Sequence, residues 1–223
     1  MADARQAAAL PARPAFAWRN AIRPAIYWLG MAPAAWAFYL GISDQLGADP
    51  LKTLERLLGL WALRYLIVSL GVTPLRRLGG PNLLRYRRAF GLLAFFYAAL
   101  HLTVYIGLDQ GLDMTAVLRD ILKRPYITVG MLAFAILLPL AVTSNNAMIR
   151  RLGAEGWKRL HKWVYAASAL GAIHFVMVVK SWPPEPLIYA AIVAGLLLFR
   201  LFPERRKPSR RRAAPTASRA VTP

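Results

Sequence analysis

AFGLLAFFYAALHLTVYIGL at residues 89–108 and LHKWVYAASALGAIHFVMVV at residues 160–179 are the two stretches that decide the fold. Each is close to the ~20 apolar residues that a helix needs to cross a hydrocarbon core. Together they contain all three histidines of the chain, with His101 in the first stretch and His161 and His174 in the second. An ionisable side chain inside a membrane span is costly in lipid, so these histidines are candidates for function.

Four further apolar runs predict four more spanning helices, at residues 25–42, 57–75, 126–143 and 187–202. The loop at 109–125 predicts a short amphipathic helix on the surface, and the segment 144–162 is predicted to be a basic loop. Composition agrees with a membrane protein, since 57% of the residues are hydrophobic and the mean hydropathy is +0.39. The predicted fold class is therefore all-α, a polytopic six-helix transmembrane bundle.

The positive charge is distributed unevenly along this predicted topology. Six helices place both termini on one side, and that side carries 22 of the 29 Lys and Arg residues, whereas the other carries 6. The positive-inside rule then predicts that both termini are cytoplasmic. The same bias accounts for the net charge of +19, so lipid is the expected partner and nucleic acid is not. The predicted segments are a cytoplasmic N-terminal segment at 1–22, the six-helix domain at 23–203 and a basic tail at 204–223 with a disordered composition.

His101 and His174 are predicted to lie at the same depth. His101 comes 13 residues after Arg88, His174 comes 13 residues after His161, and both helices run in the same direction. At ~1.5 Å per residue both imidazoles lie ~20 Å from the inner face. Two histidines at one depth favour bis-histidine ligation of a haem iron, which leaves no open coordination position and suits electron transfer. Because the chain has no cysteine, such a haem is b-type, and Cys-ligated iron–sulfur clusters are excluded.

His161 is predicted near the inner surface, level with Arg87 and Arg88. Arginine does not replace histidine as a ligand, but it pairs well with a haem propionate or a flavin phosphate. His161 therefore either ligates a second haem with another partner or only forms hydrogen bonds. Thirteen residues at ~100° each leave His161 and His174 ~140° apart on a straight helix, so a bend is expected, most simply at Gly171. Arg64, in the middle of a span, either faces a propionate or a quinone headgroup or snorkels to the interface.

The chain also resembles a known family along nearly the whole of residues 20–202. The motifs that carry the resemblance are ALRYLIVSLGVTPLRR (62–77), RRAFGLLAFFYAALHLTVY (87–105), KRPYITVGMLAFAILLPLAVTS (123–144) and RRLGAEGWKRLHKWVY (150–165). They resemble the MsrQ (YedZ) proteins, the haem-binding membrane subunits of the bacterial periplasmic methionine sulfoxide reductase system, within the ferric-reductase-like transmembrane superfamily. The resemblance implies a multi-pass protein of the bacterial inner membrane.

The resemblance also implies a ligand set, cofactors and partners. The haem iron ligands would be His101, His174 and His161, and FMN would be a further cofactor. The partner would be a periplasmic molybdopterin-containing catalytic subunit in a heterodimer, and the donor would be quinone or a cytosolic flavin reductase. The superfamily's second histidine on the third helix is absent, with Arg87 and Arg88 in its place, so the haem count is one or two.

The interpretation of function is a transmembrane electron-transfer subunit with haem b and no substrate site of its own. No Gly-rich dinucleotide fingerprint follows a predicted strand, so a soluble flavin or NADPH domain is not expected and the electrons come from elsewhere. The alternative from a different class is a small membrane transporter or proton relay that uses the intramembrane His and Arg residues.

Overall fold

The computed structural model describes residues 17–179 and 183–202, and the described residues contain no β-strand. They form eight α-helices: α1 (Ala17–Ile42), α2 (Pro50–Arg77), α3 (Arg87–Val104), α4 (Met114–Lys123), α5 (Pro125–Val142), α6 (Asn146–His161), α7 (Val164–Val178) and α8 (Pro184–Leu198). A 3₁₀ turn at Leu84–Tyr86 precedes α3, a π-helical turn at Tyr105–Asp109 follows it, and a 3₁₀ turn at Phe199–Leu201 follows α8. The prediction of an all-α fold is confirmed.

Five helical segments of the described chain are long and apolar enough to cross a membrane: Ala21–Ile42, Pro50–Arg77, Leu84–Asp109, Pro125–Val142 and Pro184–Leu201. They correspond to the predicted spans 1, 2, 3, 4 and 6. The predicted fifth span contains α7, whose 15 residues are fewer than those of the other five. A multi-pass membrane protein is thus supported, while the six-helix count and the cytoplasmic placement of both termini stay predictions.

Two tightly packed helix pairs organise the bundle. α2 packs most extensively against α3, and α5 packs most extensively against α7. Contacts between α3 and α5 and between α2 and α7 join the two pairs, and α8 packs against α7 and α2. α2 begins at the end of the bundle where α3 finishes, since the Glu55 carbonyl contacts His101. α5 likewise begins where α7 finishes, since the Tyr126 carbonyl contacts His174.

Tyr97 anchors α1 to this bundle beside Pro33. The hydroxyl of Tyr97 accepts a hydrogen bond from the Ala34 amide at 2.9 Å and donates one to the Gly30 carbonyl at 2.8 Å. Those two backbone groups are four residues apart, so the phenol inserts into the helical hydrogen-bond ladder next to a proline that cannot donate. Tyr65 also donates to the Gly30 carbonyl, at 3.0 Å.

The basic segment 144–162 is helical, and the prediction of a loop there was wrong. Asn145 caps α6 by accepting a hydrogen bond from the Met148 amide at 2.8 Å, and the segment contains no proline. α6 has a kink at Gly153, whose φ of +69° lies in the region that favours glycine. By contrast, the predicted amphipathic helix within 109–125 is present as α4, capped by Asp113.

The bend between His161 and His174 lies in a different place from the one predicted. Gly171 is inside the regular part of α7. The helical ladder is interrupted instead at the junction of α6 and α7, where the amides of Lys162, Trp163 and Tyr165 each bond the carbonyl three residues earlier. This tighter 3₁₀ pattern changes the angle between successive side chains, so the junction separates the directions of the two histidines.

The bundle has two chemically distinct ends. The "histidine end" is where α2 and α5 begin and α3 and α7 finish, and it carries His101 and His174 close to the helix termini. The "basic end" is the opposite one and carries the arginines Arg76, Arg77, Arg85, Arg87 and Arg88. The predicted N-terminal segment lies outside the described residues up to residue 16, as does the whole of the predicted tail at 204–223.

Candidate functional site

The structure brings His101 of α3 and His174 of α7 together at the histidine end. The centroids of the two imidazole rings are 6.3 Å apart, and the ring planes are inclined at 71°. Both side chains are partly buried. The pair therefore joins the α2–α3 half of the bundle to the α5–α7 half at one depth.

His101 is held by a carbonyl of the neighbouring helix. Its Nδ1 lies 2.8 Å from the backbone oxygen of Glu55, near the start of α2. Gly59 follows four residues later on the same face, and a Cβ added there would lie 3.3 Å from the His101 Nδ1. The missing side chain at Gly59 thus leaves the Glu55 carbonyl accessible to the imidazole.

His174 is held in the same way by α5. Its Nδ1 lies 2.7 Å from the backbone oxygen of Tyr126, and Gly130 again follows the accepting residue by four positions. A Cβ at Gly130 would lie 2.8 Å from the His174 Nδ1, closer than real Cβ atoms approach a ring. We call each combination of an accepting carbonyl and a glycine four residues later a "carbonyl–glycine notch". The two notches are Glu55/Gly59 and Tyr126/Gly130.

The notches determine which nitrogen of each histidine is available to a ligand. A backbone carbonyl only accepts hydrogen bonds, so Nδ1 of each ring carries the proton. Nε2 of both His101 and His174 then presents a lone pair, which is the arrangement found when a metal-bound histidine is oriented by an outer hydrogen bond. The notches fix the rotation of each ring and favour binding through Nε2.

The separation of the two rings also fits one shared metal ion. Two metal–nitrogen bonds of about 2 Å and two ring radii of about 1.2 Å place the centroids of opposed imidazoles about 6 Å apart. The centroids of His101 and His174 are 6.3 Å apart. The Nε2 atoms of His101 and His174 are therefore the groups that would hold a metal ion shared by the two rings.

A charged cluster that sequence reasoning missed lies beside His101. Lys52 Nζ is 2.8 Å from Asp109 Oδ2 and 3.4 Å from Glu55 Oε2. Glu55 is buried, and its Oε1 has no hydrogen-bond partner among the described residues. The three residues tie the start of α2 to the turn after α3, so they brace the segment that supplies the Glu55 carbonyl. The sequence did contain a signal for this cluster. Lys52 and Glu55 lie just before the second predicted span, and Asp109 lies just after the third, so the opposite charges fall at neighbouring helix ends.

His161 lies apart from this pair. Its ring stacks on Trp157 with centroids 3.8 Å apart, and its Nε2 is 3.1 Å from the hydroxyl oxygen of Thr143. Burial, together with the positive charges of Arg87 and Arg88, lowers the pKa of His161 to about 4. The imidazole is therefore neutral at physiological pH, the state that a metal ligand requires.

The predicted binding arginines fall into two separate places. Arg87 and Arg88 are at the basic end beside His161, and Arg88 Nη1 donates a hydrogen bond of 2.8 Å to Asn146 Oδ1. Arg64 is in the middle of α2, where its Nε donates to the Tyr189 hydroxyl at 2.8 Å and its guanidinium lies 4.8 Å from the centroid of the Trp61 ring. The structure thus surrounds Arg64 with aromatic groups and does not bring it together with the other two arginines.

Comparison with known proteins gives two findings. The family model "Ferric reductase like transmembrane component" matches residues 57–172, which include His101 and His161, and His174 lies two residues beyond the match. Proteins of Brucella ovis, Brucella suis and Brucella melitensis are each 60% identical to this chain over 189 residues, covering 83% of this chain and 86% of theirs. Each of these relatives is named protein-methionine-sulfoxide reductase heme-binding subunit MsrQ.

Proposed function

Because this chain belongs to the MsrQ family within the ferric-reductase-like transmembrane proteins, we propose that it is the electron-transfer subunit of a methionine sulfoxide reductase system. It holds haem b between His101 and His174. The observation that carries this proposal is the pair of imidazoles with ring centroids 6.3 Å apart, each with Nδ1 bonded to a helix carbonyl and Nε2 left for iron. Bis-histidine haem b supplies reversible one-electron transfer without an open coordination position.

The chain's own residues orient and isolate this site. The Glu55/Gly59 and Tyr126/Gly130 notches hold both rings before any ligand is bound, so little side-chain freedom is lost on binding. The Lys52–Asp109 pair lies at the mouth of the histidine end. There it provides one ammonium group that can pair with a carboxylate such as a propionate.

The proposed topology has six crossings with both termini in the cytoplasm of a bacterium. The basic end then faces the cytoplasm, as the positive-inside rule requires, and the histidine end faces the periplasm. α7 is the fifth crossing in chain order and completes the six; its 15 residues span only ~22 Å, which tilting of neighbouring helices and local thinning of the bilayer accommodate. Trp163, next to its first residue, is exposed where an interfacial aromatic is expected.

The donor and acceptor follow from this orientation. Electrons enter at the basic end from quinone or a cytosolic flavin reductase, and they leave from the histidine end. The acceptor is a periplasmic molybdopterin-containing catalytic subunit that reduces methionine sulfoxide, in a heterodimer with this chain. The aromatic surroundings of Arg64 suit a quinone headgroup, and Arg87 and Arg88 suit the phosphate of FMN or the propionates of a second haem held by His161.

The optical spectrum of purified protein tests the proposal directly. We expect sharp haem b bands after reduction with dithionite, with a ratio of one or two haems per chain. A small transporter or proton relay built on the same His and Arg residues would show no such bands. Protein that is folded, supplied with haem during expression and still free of haem would overturn the proposal.

The angle between the rings predicts the type of EPR signal. If both imidazoles bind one iron while crossed at 71°, they would interact with different iron d orbitals and leave these orbitals nearly equal in energy. We therefore expect the oxidised haem to give a highly anisotropic low-spin signal. An ordinary rhombic low-spin signal, typical of parallel imidazoles, would show that this ring geometry does not hold in the haem-bound protein.

His161→Ala should leave the haem at the histidine end in place, because the two sites lie at opposite ends of the bundle. Any cofactor at the basic end should be lost, lowering the haem-to-protein ratio by at most one. His161→Phe is the matched variant, since it keeps a ring that can stack on Trp157 but removes both nitrogens. Unchanged haem content, FMN content and electron-transfer rate in both variants would limit His161 to the hydrogen bond with Thr143.

A further inference from the structure

An apolar stripe on α4 has no role in the function proposed for the histidine pair. Met114, Leu118 and Leu122 follow one another at four-residue intervals, so their side chains share one face of the helix. Their exposed fractions are 55%, 58% and 78%, so more than half of each residue is left uncovered by the described chain. A row of large exposed hydrophobic side chains marks a contact surface.

The contacts of Asp120 fix the rotation of α4 about its own axis. Asp120 Oδ2 accepts a hydrogen bond from the Tyr105 hydroxyl at 3.1 Å, and Asp120 Oδ1 lies 3.3 Å from Arg124 Nε. Val117, one turn earlier, is buried, and α4 packs against α5. Asp120 and Val117 therefore mark the side of α4 that meets the bundle. At ~100° per residue, Leu118 points ~100° away from Val117 and ~160° away from Asp120, so the stripe faces away from the bundle.

Positive charge occupies a different side of the same helix. Arg119 and Lys123 are both exposed, and at ~100° per residue their mean direction lies ~120° from that of Leu118. α4 thus has an apolar side and a basic side, both of them free of the bundle. This is the pattern of a helix that lies in the plane of a membrane interface, with its apolar side towards the acyl chains.

The position of α4 in the chain places the stripe beside two apolar spans. The segment Leu84–Asp109 ends shortly before α4, and the segment Pro125–Val142 begins two residues after its last residue. The ends of spanning helices lie where the hydrocarbon core meets the headgroups. Leu108, at the end of the first span, and Leu132, two turns into the second, are also exposed. The stripe therefore continues an apolar exterior that the two spans already present.

We propose that α4 is an interfacial anchor, whose Met114, Leu118 and Leu122 insert into the lipid leaflet at the histidine end. Arg119 and Lys123 then lie among the headgroups. Lipid is the occupant because the stripe continues the exterior of the spans, whereas a soluble protein approaches from water, where the basic side lies. Anchored in this way, α4 keeps the turn after α3 and the start of α5 at the membrane surface. The proposal does not depend on the haem, and the two can fail separately.

The test uses the absence of cysteine from the chain, since a single introduced cysteine can be labelled without background. Leu118→Cys and Leu122→Cys place a bimane fluorophore on the stripe. Arg119→Cys and Lys123→Cys are the matched controls on the basic side, because all four residues are exposed. Each labelled full chain is placed in phosphatidylcholine nanodiscs and quenched either by a doxyl group near the headgroup end of a phosphatidylcholine acyl chain or by aqueous iodide. Circular dichroism verifies folding, and the second position on each side serves if one variant misfolds.

We expect the ratio of doxyl quenching to iodide quenching to be at least about threefold higher for labels on the stripe than for the controls. That result would support insertion of the stripe into lipid. Equal ratios on the two sides would mean that the stripe has no preferred contact with lipid, and the proposal would be wrong. Iodide quenching of the stripe that disappears only when the purified catalytic subunit of the reductase is added would assign the stripe to a soluble protein and would also overturn the proposal.

Discussion

Replacing His101 with alanine should abolish the low-spin haem spectrum at the histidine end, and so should replacing His174. Each variant removes one of two axial nitrogens, and a remaining single ligand leaves the iron five-coordinate at best. Loss of an outer hydrogen bond alone typically costs about 10–100-fold in metal affinity, so loss of a ligand should lower haem occupancy of the histidine end by at least about tenfold, and the haem-to-protein ratio should fall by about one. Pyridine haemochrome assay of protein purified from haem-supplemented cells measures this ratio, and stopped-flow oxidation measures the loss of electron transfer.

His161→Ala is the control for this pair, because it removes the remaining histidine of the chain without touching the histidine end. Both ligand variants must also fold, which circular dichroism in detergent establishes. Exogenous imidazole offers a rescue, since it can enter the space left by either alanine and restore a nitrogen ligand. A complete bis-histidine spectrum in both alanine variants would remove His101 and His174 from the proposed site.

The pairing of two particular histidines could be predicted from the sequence because membrane spans restrict the geometry. A helix that crosses lipid has a known rise per residue and a fixed start at the basic loops, so sequence position converts to depth. His101 and His174, 13 residues from Arg88 and His161 respectively, therefore had to lie at one level. Their proximity followed once α3 and α7 both packed against α2 and α5.

Other features depended on interactions that a hydropathy pattern does not contain. The residues of α6 are mostly polar and basic, and a hydropathy pattern therefore predicts a loop. Asn145 nevertheless caps this segment, which forms a surface helix. The bend predicted at Gly171 lies instead at the α6–α7 junction, where backbone bonding and not residue type determines the geometry. The carbonyl–glycine notches could not be predicted from the sequence. The role of Gly59 or Gly130 in an apolar run becomes visible only once the histidine that faces it has been located in the fold.

A graded series of glycine replacements should show that the notches position the iron ligands. Gly130→Ala should have the largest effect, because its Cβ would lie 2.8 Å from His174 Nδ1 and must displace the ring from the Tyr126 carbonyl. We expect haem affinity to fall by about 10–100-fold, as for other outer hydrogen bonds of metal ligands. Gly59→Ala should have a smaller effect, since its Cβ would lie 3.3 Å from His101 Nδ1 and a shift of a few tenths of an ångström relieves the contact.

Gly91→Ala is the matched control for this series, because it makes the same change in the helix that carries His101, where an added Cβ meets nothing within 4 Å. Alanine also raises helix propensity equally at all three positions. An effect of helix propensity alone would therefore change the stability of the three variants alike. The distinguishing readouts are the haem reduction potential and the EPR anisotropy, which respond to the rotation of each imidazole. Equal potentials and spectra in the Gly130 and Gly91 variants would mean that the Tyr126 carbonyl does not orient His174, and the notch would then be a packing feature alone.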